Sequence, residues 1–190
     1  GQFRDTYVVA ETEDGLVLVD QHAADERINY ERLRESVAGG TTTQALAEPV
    51  RLEVTAREAE LFEANDEALA RLGFHASLVE ERVVEVSTVP ALVAETAGPE
   101  LVRDVLGEFV EGDVAAAETV EAAVDGLLAD LACYPSITGN TSLTEGSVVD
   151  LLDTLDECEN PYACPHGRPV VVELDDEEIE ARFERDYPGH

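Results

Sequence analysis

Lysine is absent from this chain: all 12 of its basic residues are arginines, against 43 aspartates and glutamates, for a formal net charge of −31. The acids are interleaved with periodic valine, leucine and alanine rather than gathered into a tail, which argues against a disordered segment. We interpret the charge as an acidic shell around a folded domain adapted to molar salt, where the Debye length falls to about 3 Å. Because nucleic acids are attracted to cationic surfaces, the domain alone should bind DNA weakly.

Long apolar runs are also missing. No stretch approaches the roughly 18 residues of a membrane span, and the first residues lack the basic and apolar segments of a secretory signal. The three cysteines, Cys133, Cys158 and Cys164, are too few and odd in number for a disulfide framework. No glycine-rich phosphate loop is present, so ATP is not expected to bind. These absences predict a cytoplasmic domain without a membrane partner, whose thiols are free to bind a metal.

The patterns that are present predict an α+β fold. Residues 3–20 indicate a hairpin that turns at Glu13-Asp14-Gly15, and a helix should follow over 24–35. The polar residues 41–44 are typical of a linker. Residues 49–112 predict a second unit, in which a strand leads to a helix that begins after Thr55 and stops at Gly73.

Two short strands, 76–79 and 83–87, and a helix from Pro99 to about 110 complete this second unit. The rest of the chain indicates a helix over 117–131, a helix capped by Thr144, a strand over 170–174 and a last helix over 176–185. The pattern thus predicts one inserted unit, 48–116, between two flanking parts, 1–47 and 117–190.

Oxygen and nitrogen donors follow the second predicted strand. Asp20 ends it, and His22 and Glu26 are four residues apart, so they share a face if the helix begins by His22. Such a cluster can hold a divalent metal. The alternative is a helix N-terminus that carries acids because they interact favourably with the helix dipole.

A second motif, Cys164-Pro165-His166-Gly167-Arg168-Pro169, places a thiol and an imidazole two residues apart in a stiff loop. Cysteine and histidine suit Zn²⁺, which takes about four ligands, so Cys133 and the Asp20 group are the natural completions. A buried, inert Cys133 is the alternative. Arg168 could contact phosphate or bridge to a carboxylate.

These motifs resemble those of MutL DNA mismatch-repair proteins. The run from Asp20 to Glu31 matches the family's D-Q-H-A, two residues, E, four residues, E at every specified position. Cys164 to Pro169 matches C-P-H-G-R-P, and Phe183-Glu184-Arg185 matches F-x-R, in the family's order. Three motifs in order across most of the chain are far more specific than one.

The resemblance implies the C-terminal endonuclease domain of a MutL homodimer, which nicks duplex DNA. It also implies that 1–47 and 117–190 form a discontinuous dimerisation and catalytic subdomain and that 48–116 form an external regulatory subdomain. The implied metal ligands are Asp20, His22, Glu26, Cys133, Cys164 and His166, and the implied catalytic groups are Asp20, His22, Glu26 and Glu31. Hard carboxylate oxygens suit a catalytic Mn²⁺ or Mg²⁺, whereas the cysteines and His166 suit a regulatory Zn²⁺. Arg168 and Arg185 are assigned to phosphate binding or structure. Tyr134 and Thr138 depart from the family, because they stand where basic residues are usual.

Gln44-Ala45-Leu46-Ala47-Glu48-Pro49 falls where relatives carry a sliding-clamp segment of the form Q-x-[L/M]-x-x-P. In such a segment Gln44, Leu46 and Pro49 would contact the clamp, although a plain linker has the same polar composition. The family also implies an N-terminal ATPase region of the same protein and a mismatch-recognition protein as partners. Two other functions stay open, a zinc-stabilised dimerisation module without catalysis and a clamp adaptor.

Overall fold

The computed structural model describes residues 1–40, 42–91, 94 and 120–184. In chain order, the described elements are β1 (Gln2–Phe3), β2 (Tyr7–Thr12), β3 (Gly15–Asp20), α1 (Gln21–Gly39), β4 (Thr43–Glu53), α2 (Ala56–Ala64), α3 (Asp66–Leu72), β5 (His75–Glu80), β6 (Val83–Pro90), α4 (Val120–Cys133), α5 (Glu145–Asp156), β7 (Val171–Asp175) and α6 (Asp176–Arg182). Helices and antiparallel sheets are mixed along the chain, which confirms the predicted α+β class. None of the described helices is long and apolar enough to cross a membrane.

The chain forms two compact units. One combines Gly1–Ile28 with Ser136–His190, and the other is Asn29–Pro135. The second unit is wider than the predicted insertion 48–116, because its core includes side chains from the last part of α1 and from α4. The assignment of one part to dimerisation and catalysis and of the other to regulation stays a prediction.

The first unit contains an antiparallel sheet in the order β1-β2-β3-β7. The predicted hairpin is confirmed, with Val8 paired to Val19 and Thr12 paired to Gly15. At Gly15 the backbone has φ +149°, and a Cβ atom there would lie 2.2 Å from the carbonyl oxygen of Leu174 on β7. Glycine is therefore required at this position, where the turn between β2 and β3 lies against β7.

The sheet buries one face and leaves the other apolar face partly exposed. Val8 and Val19 lie on the buried face, where α1 contributes Ala24 and Ile28 and further core residues are Leu151, Leu155, Cys164 and Val170. Because side chains alternate along a strand, the opposite face carries Phe3, Tyr7, Val9, Leu16, Leu18, Val172 and Leu174. Phe3 and Val172 are 53% and 51% exposed. We call these seven residues the outer sheet face.

The second unit packs helices on a sheet in the order β4-β6-β5. Thr55 caps the start of α2 with a capping box. The Thr55 hydroxyl accepts from the backbone N–H of Glu58, and the Glu58 carboxylate accepts from the backbone N–H of Thr55. The prediction of one helix up to Leu72 is wrong, because the chain breaks at Asn65 into α2 and α3. Gly73 ends α3 at φ +95°, as predicted.

The predicted linker over 41–44 is wrong for Thr43 and Gln44, which pair with Pro90 and Val89 at the start of β4. The pairing is irregular between Ala45 and Val50, so residues 46–49 form a bulge. Leu46 is half-buried and packs against the core of the second unit. The predicted helix at 99–110 lies outside the described residues.

Candidate metal centre

The junction of β3 and α1 is built around Asp20. Its backbone N–H donates to Val170 O at 2.9 Å, which fixes the end of β3 against the chain before β7. Its Oδ1 accepts from the backbone N–H groups of His22 and Ala23 at 3.0 and 3.1 Å. Asp20 is thus the N-cap of α1, and the helix begins three residues before its predicted start. Because the cap uses one carboxylate oxygen, capping is compatible with binding a cation through the other.

Gln21 holds the first turn of α1 from inside the unit. Its side chain is fully buried, its Oε1 accepts from Gln2 Nε2 at 2.8 Å, and its Nε2 donates to the carbonyls of Asp5 and Thr141 at 2.5 and 3.0 Å. Sequence reasoning gave Gln21 no role, since a polar side chain beside a cap is usually solvated. The structure shows that it connects the N-terminal strands, α1 and the segment before α5.

His22 is oriented by a backbone carbonyl. Its Nδ1 lies 2.9 Å from the carbonyl oxygen of Ile137. A carbonyl can only accept, so Nδ1 carries the proton and Nε2 keeps the lone pair that a metal requires. A ring nitrogen of His22 and a carboxylate oxygen of Glu26 lie within 4.8 Å of one another, as the spacing of four residues predicts.

The Cys164–Pro169 loop is a tight turn. The backbone N–H of Cys164 donates to Arg168 O and that of Gly167 to Cys164 O, both at 2.9 Å, and Ala163 bridges to Pro169. Gly167 has φ +80°, which glycine adopts without strain. The turn buries Cys164, which is 1% exposed, and leaves His166 at its exposed tip.

Glu26, Cys164 and His166 converge. A carboxylate oxygen, the sulfur and a ring nitrogen of these residues all lie within 4.8 Å of one another, and Glu26 Oε1 is 2.9 Å from His166 Nδ1. Zinc bond lengths of about 2.0–2.3 Å place neighbouring ligand atoms of a tetrahedral site roughly 3.3–3.8 Å apart. The donor set of oxygen, sulfur and nitrogen fits a zinc ion. The residues present therefore fit the implied metal.

The electrostatics of this cluster favour a cation. Glu26 is 2% exposed, so a carboxylate there needs a positive partner or strong hydrogen bonds. Burial raises the pKa of the Cys164 thiol, and the nearby Glu26 carboxylate acts in the same direction, against hydrogen bonds from the backbone of Arg168 and His166. A bound cation would reverse this effect, because it stabilises the thiolate. Arg27 donates to Ala163 O at 2.6 Å and so joins α1 to the same loop.

Other predicted site residues belong to the second unit, lie at the surface or fall outside the described residues. Glu31 and Cys133 belong to the second unit, where Glu31 lies on α1 and Cys133 ends α4, and their roles stay predictions. Arg168 is exposed on the turn, whereas Arg185 lies outside the described residues. Tyr134 is half-buried against the core of the second unit, and Thr138 is exposed.

Residues 1–143 match the family model described as the MutL C terminal dimerisation domain. The chain belongs to this family. Among its relatives, the DNA mismatch repair protein MutL of Halobacterium salinarum is 60% identical over 190 residues, which is all of this chain and 28% of that protein. MutL of Methanothrix thermoacetophila is 41% identical over 97% of this chain and 32% of its own length. MutL of Azotobacter vinelandii is 36% identical over 97% of the chain and 28% of its length.

The chain therefore spans about a third or less of the curated MutL relatives that it matches. The family match ends at residue 143, whereas the relatives also align with the Cys164–Pro169 loop. The two halves of the candidate metal centre thus both lie within the region of similarity to MutL.

Proposed function

We propose that this MutL C-terminal domain is a metal-dependent endonuclease that nicks one strand of duplex DNA in mismatch repair. The observation that carries the proposal is the convergence of Glu26, on the second turn of α1, with Cys164 and His166. Two motifs separated by more than a hundred residues meet there, each contributing metal-binding atoms. A purely structural helix cap at Asp20 would not require the thiol and imidazole of a distant loop.

The ligands divide by chemical hardness. Asp20 and Glu26 offer carboxylate oxygens, which suit Mn²⁺ or Mg²⁺, while Cys164 and His166 offer a thiolate and an imidazole, which suit Zn²⁺. Metal ions bound here would polarise a phosphodiester and lower the pKa of an attacking water. We assign the catalytic metal to the Asp20 side of the cluster and the regulatory zinc to the Cys164 side.

The chain's own residues have defined tasks in this proposal. Asp20 is held in position by its cap bonds, His22 by Ile137, and Glu26 by its helix and by His166. Arg168, exposed on the same turn as His166, provides a cation for a DNA phosphate. Thr138, where a basic residue is usual in the family, provides none.

DNA must be brought to this site by partners, because a domain of charge −31 repels a polyanion. The N-terminal ATPase region of the same protein, a mismatch-recognition protein and a sliding clamp are the proposed recruiters. The clamp would bind at Gln44, Leu46 and Pro49, of which Gln44 and Pro49 are exposed and Leu46 is half-buried.

Self-association is the second part of the proposal, supported by the match to a dimerisation domain family. We assign the interface to the outer sheet face of the first unit. Seven apolar side chains there stand opposite the buried face, and the ring of Phe3 stacks on Tyr7 with centroids 6.4 Å apart. A surface of this kind is typical of a protein–protein interface. A second copy of the chain would bury it symmetrically.

The endonuclease proposal is tested by nicking of supercoiled plasmid in molar salt with Mn²⁺, with and without clamp. In Asp20→Asn the amide still caps α1, but a charged ligand is lost, so nicking should fall by orders of magnitude while stability is retained. Asp20→Ala is the matched control for the cap, and it should also lose about 0.5–2 kcal/mol of stability. Nicking by Asp20→Asn at the parental rate would disprove the active site and favour the non-catalytic zinc module.

A further inference from the structure

Asp25 occupies a position that the endonuclease motif leaves unspecified, yet it bonds to the segment that orients His22. Its Oδ2 accepts from the backbone N–H of Ile137 at 2.8 Å. The carbonyl oxygen of the same residue accepts from His22 Nδ1 at 2.9 Å. His22 and Asp25 are three residues apart on α1, so they lie on the same side of the helix. Ile137 is thus held at both its N–H and its C=O by two side chains of a single helical turn.

We propose that Asp25 is a positioning residue of the metal centre. By holding the N–H of Ile137, it aims the Ile137 carbonyl at His22 Nδ1 and so keeps the proton on that nitrogen. The inference rests on the proposed function, because it assumes that His22 Nε2 binds a metal. It assigns to Asp25 no contact with the metal or with DNA.

The segment from Ile137 to Leu143 is held at its two ends by separate hydrogen bonds. Beyond Ile137, the carbonyl of Thr141 accepts from Gln21, and the N–H of Leu143 donates to Gln2 Oε1 at 2.9 Å. Loss of the Asp25 carboxylate should therefore release the Ile137 end and leave the Thr141 end in place. A local change at His22 is expected rather than loss of the unit.

The orientation of His22 matters because only one of its tautomers has a lone pair on Nε2. Without an aligned carbonyl, the neutral ring exchanges between tautomers, and the form with Nε2–H cannot bind a metal through that atom. Groups that orient a histidine ligand in this way typically change metal affinity by about 10- to 100-fold when they are removed. We expect Asp25→Ala to weaken metal binding by an amount near the lower end of this range, because His22 keeps its position on α1.

The first test uses metal-free, ¹⁵N-labelled protein in molar salt, at a pH where the histidine rings are neutral. Long-range ¹H–¹⁵N spectra report which ring nitrogen carries the proton, and the His22→Gln variant identifies the His22 signals. The parent should show His22 protonated on Nδ1. Asp25→Ala should show a mixture of tautomers, whereas Asp25→Asn, whose amide oxygen can still accept from Ile137, should restore the parental spectrum.

Two further variants make the comparison decisive. Asp25→Leu has a side chain of similar size without a hydrogen-bond acceptor. Because two variants then lack the acceptor, the conclusion on the His22 tautomer does not depend on the folding of either one alone. Asp153→Ala removes a carboxylate from an exposed position on α5 in the same unit and should leave the His22 tautomer unchanged. Parental His22 spectra in both Asp25→Ala and Asp25→Leu would overturn the proposal.

The second test measures the affinity for Mn²⁺, the metal assigned to the Asp20 side of the cluster, by a titration followed with electron paramagnetic resonance. Asp25→Ala should bind about 10-fold more weakly than the parent, and Asp25→Asn should bind nearly as tightly. Equal affinities of Asp25→Ala and the parent would contradict the role of Asp25. Failure of the parent to bind zinc or manganese would overturn the metal centre itself, and the metal-free spectra would still decide whether Asp25 orients His22.

Discussion

Cys164 is a buried donor of the candidate metal centre. Its sulfur lies in a tight turn beside Glu26, in surroundings that keep a free thiol protonated. Serine at this position keeps the size of the side chain but removes a soft ligand that zinc prefers. We predict that Cys164→Ser loses bound zinc and that its Cys164–Pro169 turn loosens. Metal content per chain after gel filtration, measured by mass spectrometry, checks the prediction.

Cys158 provides the matched control for this substitution. It is half-buried in the same unit, and its thiol donates to Thr154 O at 3.6 Å, within α5 and its end. Cys158→Ser should keep the parental zinc content, because Cys158 is not among the converging donor groups found in the described residues. Equal zinc content in Cys164→Ser and Cys158→Ser would remove Cys164 from the site.

At the scale of single residues, the sequence predicts the donors but not what holds them. Asp20, His22 and Glu26 were identified from spacing, and Cys164 and His166 from a motif that suits zinc. The convergence of Glu26 with His166 could not be derived from spacing, because it depends on how the loop before β7 returns to α1. No sequence pattern indicates the roles of Gln21, Asp25 and Ile137. The side chains of Gln21 and Asp25 form hydrogen bonds to backbone groups, and Ile137 takes part through its own backbone.

The hairpin of β2 and β3 depends on one glycine. At Gly15 a methyl group would overlap the Leu174 carbonyl, and the backbone conformation is one that other residues rarely adopt. We predict that Gly15→Ala destabilises the protein by more than about 1 kcal/mol. Gly39→Ala, at the last position of α1 with nothing within 4 Å of an added Cβ, should be neutral or slightly stabilising. Urea unfolding in molar salt measures both, and similar midpoints for the two variants would contradict the close approach.

The first strand of the second unit bears on clamp binding. Gln44 is exposed in β4, whereas Leu46 packs against the core, so a clamp that inserts Leu46 into a groove must first displace it. We predict that Gln44→Ala weakens clamp binding without loss of stability, and that Leu46→Ala weakens both. Glu53→Ala, exposed at the far end of β4, is the control. If Gln44→Ala binds the clamp as tightly as the parent in a titration, the segment 44–49 is only part of the sheet and does not bind the clamp.

Element by element, strong local signals were the ones that predicted the structure. The Glu13-Asp14-Gly15 turn, the Thr55 and Thr144 caps and the Gly73 stop are all found as predicted. The prediction of a linker over 41–44 is wrong for Thr43 and Gln44. A polar sequence that contains threonine also suits an edge strand when a partner strand such as β6 is available. Pairing with a distant strand has no local signature.

Across the whole molecule, the charge of −31 and the outer sheet face have opposite effects on dimerisation. Burial of Phe3, Leu18 and Val172 favours association, while two polyanions repel each other over a Debye length of about 10 Å in 0.1 M salt and about 3 Å in 1 M salt. The dimer should therefore form in molar salt and dissociate as the salt is diluted. Sedimentation equilibrium across this range measures the expected shift.

A pair of matched variants then locates the interface. Val172 on β7 is 51% exposed and belongs to the outer sheet face, whereas Val149 on α5 is 50% exposed and does not. Val172→Glu and Val149→Glu add the same charge at equal exposure, so any general repulsion is common to both. We predict that Val172→Glu is monomeric in molar salt while Val149→Glu remains dimeric, because only the first places a carboxylate in the apolar contact. A dimer of unchanged affinity in Val172→Glu would place the interface on another surface, and a monomeric parent in molar salt would exclude self-association through this domain.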